Sequence, residues 1–286
     1  MIRQAQPGEE ARLEAFLAGH AETSMFLRGN LATHGLRPTD HPHGTTCWLA
    51  ETEAGAIRAV VGCNNEGFLM AQVPVPLPGL WSAVAQVLAG RSIAGMTGED
   101  TQVRAALEGI GLADAPFTLN HTEPLYRLDL DRLEDPEAEL RPVSPADEPM
   151  LVEWFAEHFI DTGFSASRLQ ALSDARRRAA RVVHESALRL LLDNGVPVGM
   201  AAVNARAGDM VQLGSVHVLR PHRNRGLGRR VTAALLAEER ARGARRAVLF
   251  ANNPAAARAY EGLGFRHIGA YRIALLARPM PVRVMA

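Results

Sequence analysis

The residues best suited to chemistry lie in one short segment, Leu219 to Arg230, reading LRPHRNRGLGRR. Arg220, His222, Arg223, Arg225, Arg229 and Arg230 crowd around Gly226 and Gly228, and no Asp or Glu occurs from Met210 to Ala237. Glycines let backbone N–H groups come close to a phosphate, and arginines supply forked donors. The segment leaves a strand ending at Val218 and enters an amphipathic helix with Leu227, Val231, Ala234 and Leu235 on one face and Gly243 as its C-cap. The start of that helix adds its partial positive charge. The chemistry to expect is the binding of a phosphate-bearing anion, against the plainer reading of an arginine-rich, solvated helix start.

Other clusters point less sharply. His41, His43 and Cys47 in DHPHGTTC are metal-ligand types, but they read as a polar loop, and no metal is expected. Arg176, Arg177, Arg178 and Arg181 form a basic stretch on a helix expected between Ser167 and Val183, read as a solvated face. Trp154, Phe155, Phe159 and Phe164 read mainly as core.

Composition removes many alternatives. The 286 residues contain no lysine, so Schiff-base and pyridoxal mechanisms, the Gly-Lys phosphate loop and protein-kinase catalysis are out. HExxH, GxSxG and a complete G-x-G-x-x-G are also missing. Basic and acidic residues balance at 31 each, which offers no field to hold nucleic acid or an anionic membrane. Two cysteines are too few for a disulfide framework. No apolar run reaches the ~18 residues of a membrane span. Glu9, Glu10 and Glu14 stand where a signal peptide would be basic and then apolar. A cytoplasmic protein is the expectation.

The elements that must hold the loop emerge when the chain is compared with itself. Ile2 to His20 lies over Leu140 to Phe159, each a short strand and then a helix, the second with Ser144 at the N-cap and Pro145 behind it. Leu49 to Gly62 and Leu188 to Val203 read as hairpins turning at Gly55 and Gly195. Val73-Pro74-Val75 matches Val216-His217-Val218 as a strand end, ALEGIGL (Ala106 to Leu112) matches AYEGLGF (Ala259 to Phe265), and YRLDL from Tyr126 matches YRIAL from Tyr271. Five blocks in the same order mark a tandem duplication. The expected architecture is α/β (α+β): two tandem domains, each a mixed, mostly antiparallel sheet flanked by helices. Residues 1–130 would be the first domain, the acidic stretch 131–140 a solvated linker, and 141–286 the second domain. The copies differ most at the arginine loop. Between Val218 and Gly243 lie 24 residues, against 14 between Val75 and Gly90.

Together, Arg223-x-x-Gly226-x-Gly228 before an amphipathic helix, and then Asn253, Tyr260, Gly264 and Phe265 after the next strand, resemble the GNAT superfamily of N-acetyltransferases. The whole chain resembles the tandem GNAT arrangement of mycothiol synthase-like proteins, in which one half keeps the catalytic features. The resemblance implies acetyl-CoA as acyl donor and a small-molecule primary amine as acceptor, attacking the thioester directly. It implies that backbone groups of His217 and Val218 hold the pantetheine arm. The backbone of Asn224, Arg225, Gly226, Leu227, Gly228 and Arg229, with Arg223, would cradle the pyrophosphate. Asn253 would bind the cofactor arm, and Tyr260 would be general acid to the departing thiolate. In the first half Leu107 replaces that tyrosine, so that half would be a degenerate copy. Many relatives carry a glutamate base where Leu213 stands here; Asp209, His217, His158, Glu185, a water chain or an already neutral amine remain open. A longer acyl group, a hydroxyl acceptor and a non-catalytic CoA-binding sensor are the competing readings. Nothing in the sequence fixes the oligomeric state.

Overall fold

The computed structural model describes residues 2–134, 136–185 and 187–282. Its two compact units are Met1–Glu123 with Ala270–Ala286, and Pro124–Gly269. The first half of the chain runs β1 (Ile2–Gln4), α1 (Glu10–Ala18), α2 (Ala21–His34), β2 (Thr45–Glu51), β3 (Ile57–Asn64), β4 (Phe68–Gln72), α3 (Leu80–Val87), β5 (Ser92–Glu99), α4 (Asp100–Gly109) and β6 (Phe117–Asp129). The second repeats the order: β7 (Glu139–Pro142), α5 (Glu148–Asp161), α6 (Arg168–Val182), β8 (Leu188–Asp193), β9 (Val196–Ala207), β10 (Met210–Val218), α7 (Leu227–Ala241), β11 (Arg246–Phe250), α8 (Pro254–Glu261) and β12 (Arg266–Pro281).

Local chemistry explains the punctuation. The β8–β9 hairpin turns on Asn194 and Gly195, both at positive φ (52° and 77°), as a two-residue turn of matching twist requires. Ser144 and Asp147 form a reciprocal capping box ahead of α5, with Pro145 where its missing N–H costs nothing. Ser167 caps α6 by accepting from Gln170 N at 3.2 Å. Val73 and Val75 fall beyond β4 rather than at a strand end, since Pro74 and Pro76 have no N–H for a ladder.

Within each unit the sheet order is the same. In the first, β1-β2-β3-β4-β5 is closed by the latter part of β12, with only the β4–β5 pair parallel. In the second, β7-β8-β9-β10-β11 is closed by the latter part of β6, with only β10–β11 parallel. The closing strands are therefore exchanged. Leu125–Asp129 pairs with Phe250–Arg246, and Tyr271–Leu275 pairs with Glu99–Gly95. This departs from the expected boundaries 1–130 and 141–286. Nor is 131–140 a solvated linker throughout, because Leu133 is buried and Arg240 donates to the carbonyls of Leu130 (3.1 Å) and Leu133 (2.6 Å).

Each sheet buries both faces. In the second unit α5 and α6 cover one face through Leu151, Trp154, Phe155, Ala171, Ala175 and Ala179. The small residues spaced by four on α6 let it approach α5 closely, and Phe155, fully buried, contributes about 1.5–3 kcal/mol. The other face packs Leu213, Leu227, Val231, Leu249 and Tyr260 from β10, α7, β11 and α8.

Candidate functional site

The parallel ladder between β10 and β11 is short. It pairs Met210–Gln212 with Arg246–Val248, whereas β10 continues to Val218 and β11 to Phe250. Beyond Gln212 the two strands part. There β10 carries a bulge between Gly214 and His217, with Ser215 in the left-handed region at φ 52°. A bulge re-aims the backbone, so the stretch from Leu213 to Val218 offers main-chain groups toward the opening between the strands. In the first unit β4 and β5 likewise pair over only Phe68–Met70, but β4 meets β3 without a bulge.

The opening leads into the arginine loop. A 3-10 turn, Arg220–His222, precedes Arg223 and Asn224, which lies at φ 61°. Gly226, at φ 73°, is the N-cap of α7 and provides no side-chain cap. A Cβ on Gly226 would meet nothing within 4 Å. The first N–H groups of α7, from Leu227, Gly228 and Arg229, have no intrahelical acceptor, and no side chain caps the helix start. A helix start open to approach, with a glycine at left-handed φ, suits an anion.

The charges around the loop differ from the sequence expectation. The segment itself holds no acid, but distant elements supply several. Asp161 at the end of α5 accepts from Arg220 (3.0 Å) and Arg223 (2.6 Å), and Arg225 donates to Asp193 of β8 at 3.1 Å. Arg223 also donates through Nε to the Val218 carbonyl at 2.9 Å. Arg229 is exposed in the first turn of α7. Three of the loop arginines are thus bound to carboxylates, and the backbone N–H groups of the helix start add to the positive charge of Arg229 and Arg230.

Tyr260 lies on α8, nearly buried, with its ring 5.9 Å from Phe265, and shares one packed cluster with Leu213 and Leu227. Asn253 is the N-cap of α8: its Oδ1 accepts from Ala256 N at 2.9 Å, and its Nδ2 donates to Asn252 at 2.8 Å. One amide hydrogen of Asn253 is left over.

Of the four side chains considered as bases, two are ion-paired in other places and two stand together. Arg246 donates to Asp209 at 2.8 Å, and Glu185 lies 3.6 Å from Arg181. The rings of His158 and His217 meet edge to face at 5.8 Å. His217 is buried; its Nε2 lies 3.3 Å from Glu157 Oε2 yet makes no hydrogen bond. Burial first, then Arg223 and Arg220, pushes the His217 imidazole down to about 4, against the opposing pull of Asp161. His158 is likewise pushed down to about 4, by burial and then by His217. Both are neutral at physiological pH. On the same strand Gln212 donates to the Leu213 carbonyl at 2.7 Å, and its buried Oε1 has no partner.

The remaining clusters have local explanations. Arg177 pairs with Asp174, and the Arg178 guanidinium lies 5.9 Å over the Phe155 ring. His41 stacks on His34 at 4.1 Å and lies 5.5 Å from His43, while burial pushes the Cys47 thiol up to about 12. Among the described residues no group of three His, Cys, Asp or Glu side chains has metal-site geometry, and no helix is long and apolar enough to cross a membrane.

Residues 149–265 match the acetyltransferase (GNAT) family. Among curated proteins no sequence matches. The fold is similar to that of a Drosophila protein (TM-score 0.66, 16% identity, covering 96% of this chain and 98% of that one). It is also similar to a tandem GNAT protein from the clavulanic acid biosynthesis pathway (TM-score 0.55, 16% identity, 99% of each chain). A third likeness is to a GCN5-related N-acetyltransferase from Kribbella flavida (TM-score 0.56, 19% identity, 95% and 97%). The chain carries a GNAT acetyltransferase domain within residues 149–265, and its enzyme class is that of an acyltransferase.

Proposed function

We propose that the second unit transfers an acetyl group from acetyl-CoA to the primary amine of a small molecule, and that the first unit is a degenerate copy that binds no cofactor. The observation that carries this reading is the continuity of three features: strands parting after Gln212, a bulge at Ser215, and an uncapped helix start at Gly226. The main-chain stretch His217–Val218 pairs with the pantetheine amides as an added strand would, Val218 through its N–H because its carbonyl accepts from Arg223. The N–H groups from Asn224 to Arg229 receive the pyrophosphate, at the positive end of the α7 dipole. The remaining amide hydrogen of Asn253 is directed to the cofactor arm.

In this reading the neutral amine attacks the thioester carbonyl, and the tetrahedral oxyanion collapses with departure of the thiolate. Tyr260 donates its phenolic proton to that sulfur, the step at which a positioned acid matters most. No carboxylate stands at Leu213 to take the proton lost by the amine, and the acceptors open to it are the neutral His158 and His217 and water.

The first unit shares the parting strands and an uncapped helix start at a left-handed glycine (Gly79, φ 74°) but lacks the rest. Its β4 is unbulged, Leu107 stands in place of the tyrosine, and Pro74, Pro76 and Pro78 remove N–H groups from the corresponding loop. The test is a thiol-release assay of the full chain with acetyl-CoA and a panel of small amines and alcohols. Amine-dependent release of CoA is the expected result. Binding of acetyl-CoA without turnover on any acceptor would make the protein a sensor, and turnover on alcohols alone would replace the acceptor class.

A further inference from the structure

The last turn of a helix is an unfavourable place for carboxylates, because the negative end of the dipole lies there. Asp161 nevertheless ends α5, and Glu157 stands one turn before it. Their charges are used across the chain. Asp161 gives one oxygen to Arg220 and the other to Arg223, at 3.0 and 2.6 Å. Glu157 lies 3.3 Å from Arg220 through one oxygen and 3.3 Å from His217 through the other. Arg223 in turn reaches back to the carbonyl of Val218, the last residue of β10. A connected set of charge-assisted contacts therefore runs from α5 to both ends of the 3-10 turn Arg220–His222. Burial works to raise the Asp161 carboxyl, but Arg223 and then Arg220 hold it below the ordinary carboxylate value, so it is fully charged at neutral pH.

We infer that Asp161 is the positioning residue of the anion loop: by holding Arg220 and Arg223 it sets where β10 ends and where the N–H groups ahead of α7 point. This rests on the reading of the loop as the pyrophosphate site. It assigns Arg223 to shaping the loop more than to contacting the ligand, because two of its nitrogens are already committed within the protein. Removing the Asp161 charge has two opposed effects. It releases two positive charges that attract phosphate, and it releases the loop from its binding shape. A backbone cradle depends on the direction of several N–H groups at once, so loss of shape outweighs gain of charge.

The experiment uses the full chain, titrated with acetyl-CoA by calorimetry and assayed with a saturating amine acceptor. Asp161→Asn should raise both Kd and KM for acetyl-CoA about tenfold while kcat stays within about twofold, since Tyr260 is untouched. Asp161→Glu should recover much of the loss. Arg223→Gln should weaken binding similarly, and the Asp161→Asn/Arg223→Gln double variant should be little worse than either alone. Unchanged or tighter binding by folded Asp161→Asn, additive losses in the double variant, or a fall in kcat as large as the rise in KM would overturn the inference. Should Asp161→Asn not fold, Asp161→Glu and Arg223→Gln read the same KM-against-kcat split. Absence of acetyl-CoA binding by the wild-type chain would instead sink the cofactor assignment, and this inference with it.

Discussion

Gln102 Oε1 accepts the backbone N–H of Val73 at 2.6 Å. Val73 is the first residue of the Val-x-Val segment that matches Val216 to Val218, and the repeat alignment of Ala106–Leu112 with Ala259–Phe265 puts Ala255 opposite Gln102. The first unit thus spends on its own side chain the main-chain donor of Val73, and at the matching place the second unit has Ala255, which has no side-chain amide to do the same. Calorimetry on the intact chain should accordingly give about one acetyl-CoA per chain, and cofactor at ~100 Kd should stabilise the binding fold by ~2.7 kcal/mol. Two equivalent sites would contradict this.

Gly226→Asp should abolish measurable acetyl-CoA binding. The glycine lies at φ 73° with open space where a Cβ would be, so the variant adds both backbone strain and a carboxylate beside the α7 N–H groups. A folded variant with wild-type affinity in a calorimetric titration would remove the loop from the cofactor site.

Tyr260→Phe keeps the ring that packs beside Phe265 and removes only the hydroxyl. Acetyl-CoA affinity should stay within a few-fold while turnover drops by on the order of 10² or more, the scale of a lost general acid. Single-turnover mixing is the measurement of choice, because slow product release can hide the chemical step. An unchanged single-turnover rate would return Tyr260 to packing alone.

Stability should fall as pH drops from about 6.5 toward 4. In the unfolded chain each histidine titrates near ~6.5, whereas in the folded protein His158 and His217 are held down to about 4. Between those values the unfolded chain binds protons that the folded chain does not, so the full stability is present above ~6.5 and is lost progressively below it. The pair is worth roughly a few kcal/mol, at ~1.4 kcal/mol per pKa unit. Urea denaturation across this range should give a sloping midpoint for the wild type and a flatter one for His217→Gln. Parallel slopes would show that the buried ring is not responsible.

Much of this was legible from local signals. The repeat order, the hairpins at Gly55 and Gly195, the capping box at Ser144 and the helix from Leu227 each depend on neighbours within a few residues, and sequence spacing reports those directly. The loop glycines could be found for the same reason. The carboxylates that neutralise its arginines could not, because Asp161 and Asp193 lie 62 and 32 residues from their partners. A faint signal existed in the acidic end of α5, where local preference favours the opposite charge. The exchange of β6 and β12 left no local trace. YRLDL and YRIAL are nearly the same strand, and either pattern suits the same place in either sheet.

That exchange makes the chain a natural pair of complementary fragments. A cut between 134 and 136 leaves one piece with β1–β5 and a spare strand, β6, and another with β7–β11 and a spare strand, β12. In the arrangement of the intact chain neither piece closes its own sheet. Each exposes the unpaired edge of β5 or β11, a template for aggregation. Each also carries the strand that its counterpart needs. Expressed separately the two should aggregate through those edges; expressed together they should assemble and purify as one.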